Sequence, residues 1–211
     1  MKDKIQYRYI DHQPVVEDNT VSGYALVFNK LSSDVGGYRE RILPGAADDE
    51  ILNNSDVFCY LNHEEARGVL ERRRYGKGGL ELIIDETGLL YRFKLGDSPL
   101  CRELRYYLDR GIITKSSFSF TVADYRWLDD EHGNPVYDEN GLQQMDIIKF
   151  DRLFDVSPVF EPAYLDTSVS VRNKTDNLLF INECNERKAR LKQPTDDYYI
   201  NIRKKYNLKW E

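Results

Sequence analysis

Lys115-Ser116-Ser117-Phe118-Ser119-Phe120-Thr121-Val122 alternates polar and apolar side chains with a period of two, the pattern of a strand with one face in a core. The even positions Ser116, Phe118, Phe120 and Val122 make the core face. The odd positions Lys115, Ser117, Ser119 and Thr121 make a polar face, expected to turn toward solvent or a cleft. A second long strand is expected over 144–157. The same alternation there puts Ile148, Phe150, Phe154 and Val156 inside, and Lys149, Asp151 and Asp155 on the polar side. Between the two strands lie Asp129-Asp-Glu-His-Gly-Asn-Pro135 and Asp138-Glu-Asn-Gly141. This acidic stretch reads as a solvated, extended hairpin loop, and its spacing fits no EF-hand.

Working outward, strands are expected over 3–10, 20–28, 38–43, 56–62, 67–73, 80–85, 89–95 and 169–172, separated by turn residues such as Gly76, Gly79 and Gly88. Two helices are expected, a short one over 46–52 and a clear one over 98–110. The second has Asp97 or Ser98 as cap, Pro99 at its first position and Gly111 after its end. Leu100, Leu104, Tyr107 and Leu108 form its apolar stripe. Many strands with few helices give a mainly β, α+β class, expected as a closed or nearly closed antiparallel barrel flanked by helices.

The 211 residues are 41% hydrophobic and 31% charged, an ordinary globular balance. No run of about 18 apolar residues exists to span a membrane. The N-terminus lacks the apolar core of a signal peptide, so a cytoplasmic location is expected. Cys59, Cys101 and Cys184 are too few and too scattered for a zinc site or a disulfide framework, and reduced thiols are expected. Residues 173–211 carry 9 basic and 6 acidic side chains, whereas 1–172 carry 21 and 30. The expected organisation is therefore a domain over 1–172 and a basic tail over 173–211. A body this acidic argues against nucleic acid as the main partner.

The chemistry-bearing residues are His63, the serines of 115–121 and Asp155. His63 follows the apolar positions Val57, Cys59 and Leu61 at the end of its strand. A neutral imidazole beside Ser117 could take its proton as the hydroxyl attacks a carbonyl carbon. A carboxylate on the other ring nitrogen would set the tautomer and stabilise the imidazolium. Each residue also has an ordinary reading: a surface histidine, a solvated serine strand, a turn aspartate. Cys59 shares the strand face with His63, but four residues of strand separate them by about 13 Å, so a buried thiol is expected there. Scattered acids and one well-placed histidine form no metal cluster, and no cofactor is implied.

An ordered set of motifs resembles the prohead (capsid maturation) proteases of tailed bacteriophages, whose fold is similar to the herpesvirus assemblins. It begins with Gly23-Tyr-Ala-Leu-Val-Phe-Asn29 and Gly37-Tyr-Arg-Glu-Arg-Ile-Leu-Pro-Gly-Ala46. Leu61-Asn-His63, Arg110-Gly111 and Ser116-Ser-Phe-Ser-Phe120 follow. Leu153-Phe-Asp-Val-Ser157, Glu161-Pro-Ala-Tyr164 and Asp166-Thr167 close the set. The resemblance covers about residues 20–172. It implies His63 as general base, Ser117 as nucleophile and Asp155 as the third member, where relatives usually show Glu. Relatives usually have Gly at the position of Ser119, so a register shift would promote Ser119 to nucleophile instead.

The resemblance further implies a serine endopeptidase that cleaves the scaffolding segment of the major capsid protein, or a separate scaffold, and itself. That would happen in the host cytoplasm, inside the assembling prohead, with self-association possible. The tail would be a self-removed or targeting segment. The rival expectation is a non-catalytic assembly protein that keeps the fold, for which His63 and Ser117 would stand more than about 5 Å apart. Cleavage preference and oxyanion donors are not assigned by sequence.

Overall fold

The computed structural model describes residues 5–10 and 13–160. Its organising feature is the ribbon of β10 (Ile113–Trp127) and β11 (Gln143–Phe160), paired antiparallel along most of their length. β1 (Gln6–Ile10) pairs antiparallel with the free side of β10. On the other side, β4 (Tyr38–Ile42) and β5 (Asp56–Cys59) both pair with β11, and both run parallel to it. β6 (Glu71–Arg74) and the two-residue β7 (Lys77–Gly78) extend the sheet beyond β5. A second, four-stranded sheet has the order β2-β3-β9-β8, from Val15–Glu17, Thr20–Val27, Gly88–Lys94 and Glu81–Ile84.

The mainly β class with few helices is as expected. The barrel is not seen: among the described residues the pairings make two open sheets, and neither closes into a ring. The expectation of purely antiparallel pairing also fails, because β4 and β5 return to β11 in parallel. Parallel neighbours need long crossover connections, and a single-strand pattern carries no signal for them. The last expected strand, 169–172, lies outside the described residues, as does the tail.

The core lies between the sheets, where β3 packs against β1, β10 and β11. Phe118, Phe120 and Phe150 stack there, with Phe120 and Phe150 centroids 4.4 Å apart. Each ring buried in such a layer contributes about 2–3 kcal/mol. The two layers approach closely at Gly23. A Cβ there would meet the Tyr91 hydroxyl at 2.9 Å and Ser116 Oγ at 3.1 Å. The inward-facing Ser116 is satisfied by Tyr91, 3.0 Å away, and burial pushes the Tyr91 phenol far above its ordinary value.

Three bulges on β11 break the simple alternation, one of them leaving Ile148 extra where Asp124 pairs with Lys149 and Tyr125 with Ile147. Phe120 pairs with Leu153 and Ser119 with Asp155, leaving Phe154 as an extra residue. Val122 pairs with Phe150 and Thr121 with Arg152, leaving Asp151 extra. The inward side chains of β11 are consequently Ile147, Phe150, Leu153 and Val156, while Ile148 and Phe154 are only half-buried. Bulges shift side chains between faces in this way.

α1 (Asp49–Asn54) starts slightly later than expected, because the Asp48 side chain caps it by accepting from the Ile51 N–H at 2.8 Å. α2 (Pro99–Asp109) begins where Ser98 accepts from the Cys101 N–H and buries Cys101, Leu104 and Leu108. The acidic segment after β10 is a narrow loop whose turns are tied by the carboxylates of Asp130 and Asp138.

Candidate active site

Cross-strand register sets out the site. Ser117 faces Ser157, and Ser119 faces Asp155, all on one side of the β10–β11 ribbon. Of the two expectations for this polar face, solvent or a cleft, solvent is not what the structure shows. Lys115, Ser117, Ser119, Thr121, Asp155 and Ser157 are all buried. Burying this many polar groups is unfavourable unless each finds a partner. Ser117, Ser119, Asp155 and Ser157 find partners in one another and His63, while Thr121 donates to Asp151 and Lys115 lies over the Tyr9 ring.

His63 reaches them from β5. The strand ends at Cys59, earlier than expected, and the chain continues beside β11: Tyr60 N–H donates to Ser157 Oγ and Asn62 N–H to the Pro158 carbonyl. Asn62 and His63 then both take left-handed backbone angles, φ 55° and 57°. Asn tolerates that region; histidine does so at some cost. The turn carries the imidazole back over the ribbon. The ring of Tyr7, from β1, meets it edge-on at 5.0 Å.

Three side chains distant in sequence thereby form one chain of hydrogen bonds. His63 Nδ1 lies 2.6 Å from Asp155 Oδ1, and His63 Nε2 lies 2.5 Å from Ser117 Oγ. The carboxylate accepts only, so the neutral ring carries its proton on Nδ1 and turns the Nε2 lone pair toward Ser117. Asp155 has further donors. Ser157 Oγ donates to Oδ1 at 2.7 Å, and Ser119 Oγ donates to Oδ2. The imidazole keeps 20% side-chain exposure, the carboxylate 6%. The imidazole is thus the exposed member of the chain, while Ser117 and Asp155 are both buried.

The Ser117 hydroxyl has a second neighbour, the Arg8 carbonyl of β1, at 2.7 Å. Having one proton, it gives it to His63 or to Arg8 but not to both. With His63 neutral, the proton faces Nε2. Once the ring is doubly protonated, Nε2 donates to Oγ and the hydroxyl turns to Arg8.

The structure thus brings together all three sequence-chosen residues, His63, Ser117 and Asp155. Ser119 Oγ donates to Asp155, whereas Ser117 Oγ is the hydroxyl beside His63 Nε2. Cys59 is fully buried, and burial, with the negative charge of Asp155, pushes its thiol well above its ordinary value. It remains a protonated core residue. Of the other histidines, His132 sits exposed in the acidic loop and His12 lies outside the described residues. Sequence reasoning did not pick out Ser157, Tyr7 or the Arg8 carbonyl. Ser157 had a signal, since it lies two residues from Asp155 and so on the same face. The other two depend on where β1 docks.

Among the described residues, no three His, Cys, Asp or Glu side chains are grouped to hold a metal, and no helix is long and apolar enough to cross a membrane. No curated protein and no solved structure matches the chain. The sequence profile of the caudovirus prohead serine proteases matches residues 6–179, a span that contains both strands of the ribbon, the His63 turn and β1. The chain belongs to the caudovirus prohead serine protease family, the capsid-maturation proteases of tailed phages.

Proposed function

We propose that this chain is a serine endopeptidase in which Ser117 is the nucleophile, His63 the general base and Asp155 the residue that orients and stabilises His63. The observation that carries the proposal is the unbroken path from Asp155 through His63 to Ser117, at 2.6 and 2.5 Å. The non-catalytic assembly reading needs these groups apart, and a 2.5 Å contact favours chemistry.

The geometry supports a two-step hydrolysis. Ser117 Oγ attacks the scissile carbonyl carbon while its proton moves to His63 Nε2. The imidazolium so formed is held between Asp155 and the developing tetrahedral intermediate. His63 then gives the proton to the departing amine, leaving an acyl ester on Ser117. A water enters, surrenders a proton to Nε2 and attacks the ester. The tetrahedral intermediate collapses by breaking its bond to Ser117 Oγ, which takes back the proton from His63 Nε2, so the carboxylic acid product leaves and the enzyme ends as it began.

The substrate proposal follows from the family. The enzyme would cut the scaffolding segment of the major capsid protein, or a separate scaffold, and itself, within the immature shell. Residues 1–172 would form the protease domain, and the basic segment 173–211 would recruit it into the shell before being removed. Co-expression with the phage's capsid protein tests this by intact mass. Wild type is expected to shorten the capsid protein and its own C-terminal side, while Ser117→Ala leaves both whole. Capsid protein left whole by wild type, or cut equally by the variant, would overturn it. Deleting 173–211 should preserve peptide hydrolysis but block packaging into proheads.

A further inference from the structure

Asp155 is held on three sides, and two of the three holders are serines the mechanism above does not use. Ser119 stands directly opposite it on β10, where facing Cβ atoms are about 5 Å apart. The bulge at Phe154 produces that pairing by removing one step of register just before Asp155. Ser119 is 1% exposed and Ser157 0%, so neither hydroxyl has water to turn to. Ser119 donates to Oδ2 and Ser157 to Oδ1. A carboxylate otherwise rotates freely about its terminal torsion, which has a broad two-fold profile. Here each oxygen is pinned by a neutral donor, and Oδ1 is left aimed at His63 Nδ1.

We propose that Ser119 and Ser157 are positioning residues, a pair of hydroxyls that clamp the Asp155 carboxylate in the plane His63 needs. The clamp rests on the reading of His63, Ser117 and Asp155 as the catalytic groups. Its chemistry differs from that of a salt bridge. Hydroxyls satisfy the carboxylate lone pairs without cancelling its charge, so the charge remains available to the imidazolium when Ser117 gives up its proton. Ser157 also accepts from the Tyr60 N–H, which ties the clamp to the segment that delivers His63.

The test is the rate at which a fluorophosphonate probe labels the full-length protein, resolved into kinact and KI. Wild type is expected to label on Ser117. Ser119→Ala should lower kinact about tenfold, the loss of one hydrogen bond to a charged group, with KI changed less than about twofold. Ser157→Ala should lower kinact in the same sense, and it carries the test should Ser119→Ala fail to fold. In an Asp155→Ala background, removing the Ser119 hydroxyl should change kinact less than about twofold, because its partner is gone. A purely structural role would instead give equal losses in both backgrounds. That result, wild-type kinact in both serine variants, or a change confined to KI, would overturn the clamp alone. No labelling of wild type, or equal labelling of Ser117→Ala, would overturn the catalytic reading and the clamp with it.

Discussion

Strand β11 carries two buried aspartates that receive opposite treatment. Asp146 is 2% exposed, and two guanidiniums hold it: Arg41 at 2.7 Å on Oδ1 and Arg126 at 2.9 Å on Oδ2. Asp155 is 4% exposed, and two hydroxyls and an imidazole hold it. Both carboxylates are satisfied, so both are compatible with a folded core. Only one keeps its charge in reserve. Arginine stays protonated at any ordinary pH, so Asp146 is neutralised permanently and serves to join β4, β10 and β11. Asp155 has a partner whose charge changes during a reaction. What separates a structural carboxylate from a reactive one here is the partner's ability to change protonation, rather than burial.

The largest effect should come from the far end of the Asp155 chain. Ser117→Ala or His63→Ala is expected to lower peptide hydrolysis by about 10^4-fold or more, the scale for losing a nucleophile or its base, measured with purified protein and unfolded capsid protein as substrate. Next comes the direct contrast of the two aspartates. Asp155→Asn should lower kcat by about 10^3- to 10^4-fold while the protein stays folded. Asp146→Asn should leave the rate within about twofold but lower unfolding stability by about 1–2 kcal/mol in urea titrations. That is less than a fully buried ion pair would lose, because Arg126 is 65% exposed. An Asp146→Asn enzyme as inactive as Asp155→Asn would break the distinction.

A smaller effect is expected at the turn that delivers His63. Asn62→Ala forces a less suitable residue into φ 55°, a cost of about 1 kcal/mol. It should reduce both stability and kcat a few-fold, whereas Asn62→Gly should keep both. The smallest concerns a surface carboxylate on β5. A hydrogen bond from Arg72, followed by its charge, holds Asp56 below the usual carboxylate range despite opposing desolvation. A depressed folded pKa gives stability that is fully present above the unfolded value of 3.8 and fades as pH falls through the folded one. The stability gap between wild type and Asp56→Asn should thus be steady near pH 6 and shrink below pH 3.8. Activity corrected for the folded fraction should be the same for both.

The sequence made the ribbon legible because Ser116 to Val122 alternates without interruption, and the caps of α2 because Ser98, Pro99 and Gly111 are local signals. His63, Ser117 and Asp155 were legible as a set through alternation and through motif order. Alternation leaves open whether the polar face meets solvent or a cleft, because it says which residues share a side, not what covers it. Ile148 and Phe154 were misplaced because a bulge leaves no mark in residue type. The parallel docking of β4 and β5, and the approach of β1 to Ser117 and His63, are long-range choices. They depend on how whole sheets pack, and no window of sequence contains them.

The relay from Asp155 through His63 to Ser117 is tested most directly by mapping where a fluorophosphonate attaches to the wild-type protein, by mass spectrometry of its peptides. The account predicts a single adduct on Ser117, lost in His63→Ala. An adduct on Ser119, or labelling of Ser117 that persists undiminished without His63, would contradict it.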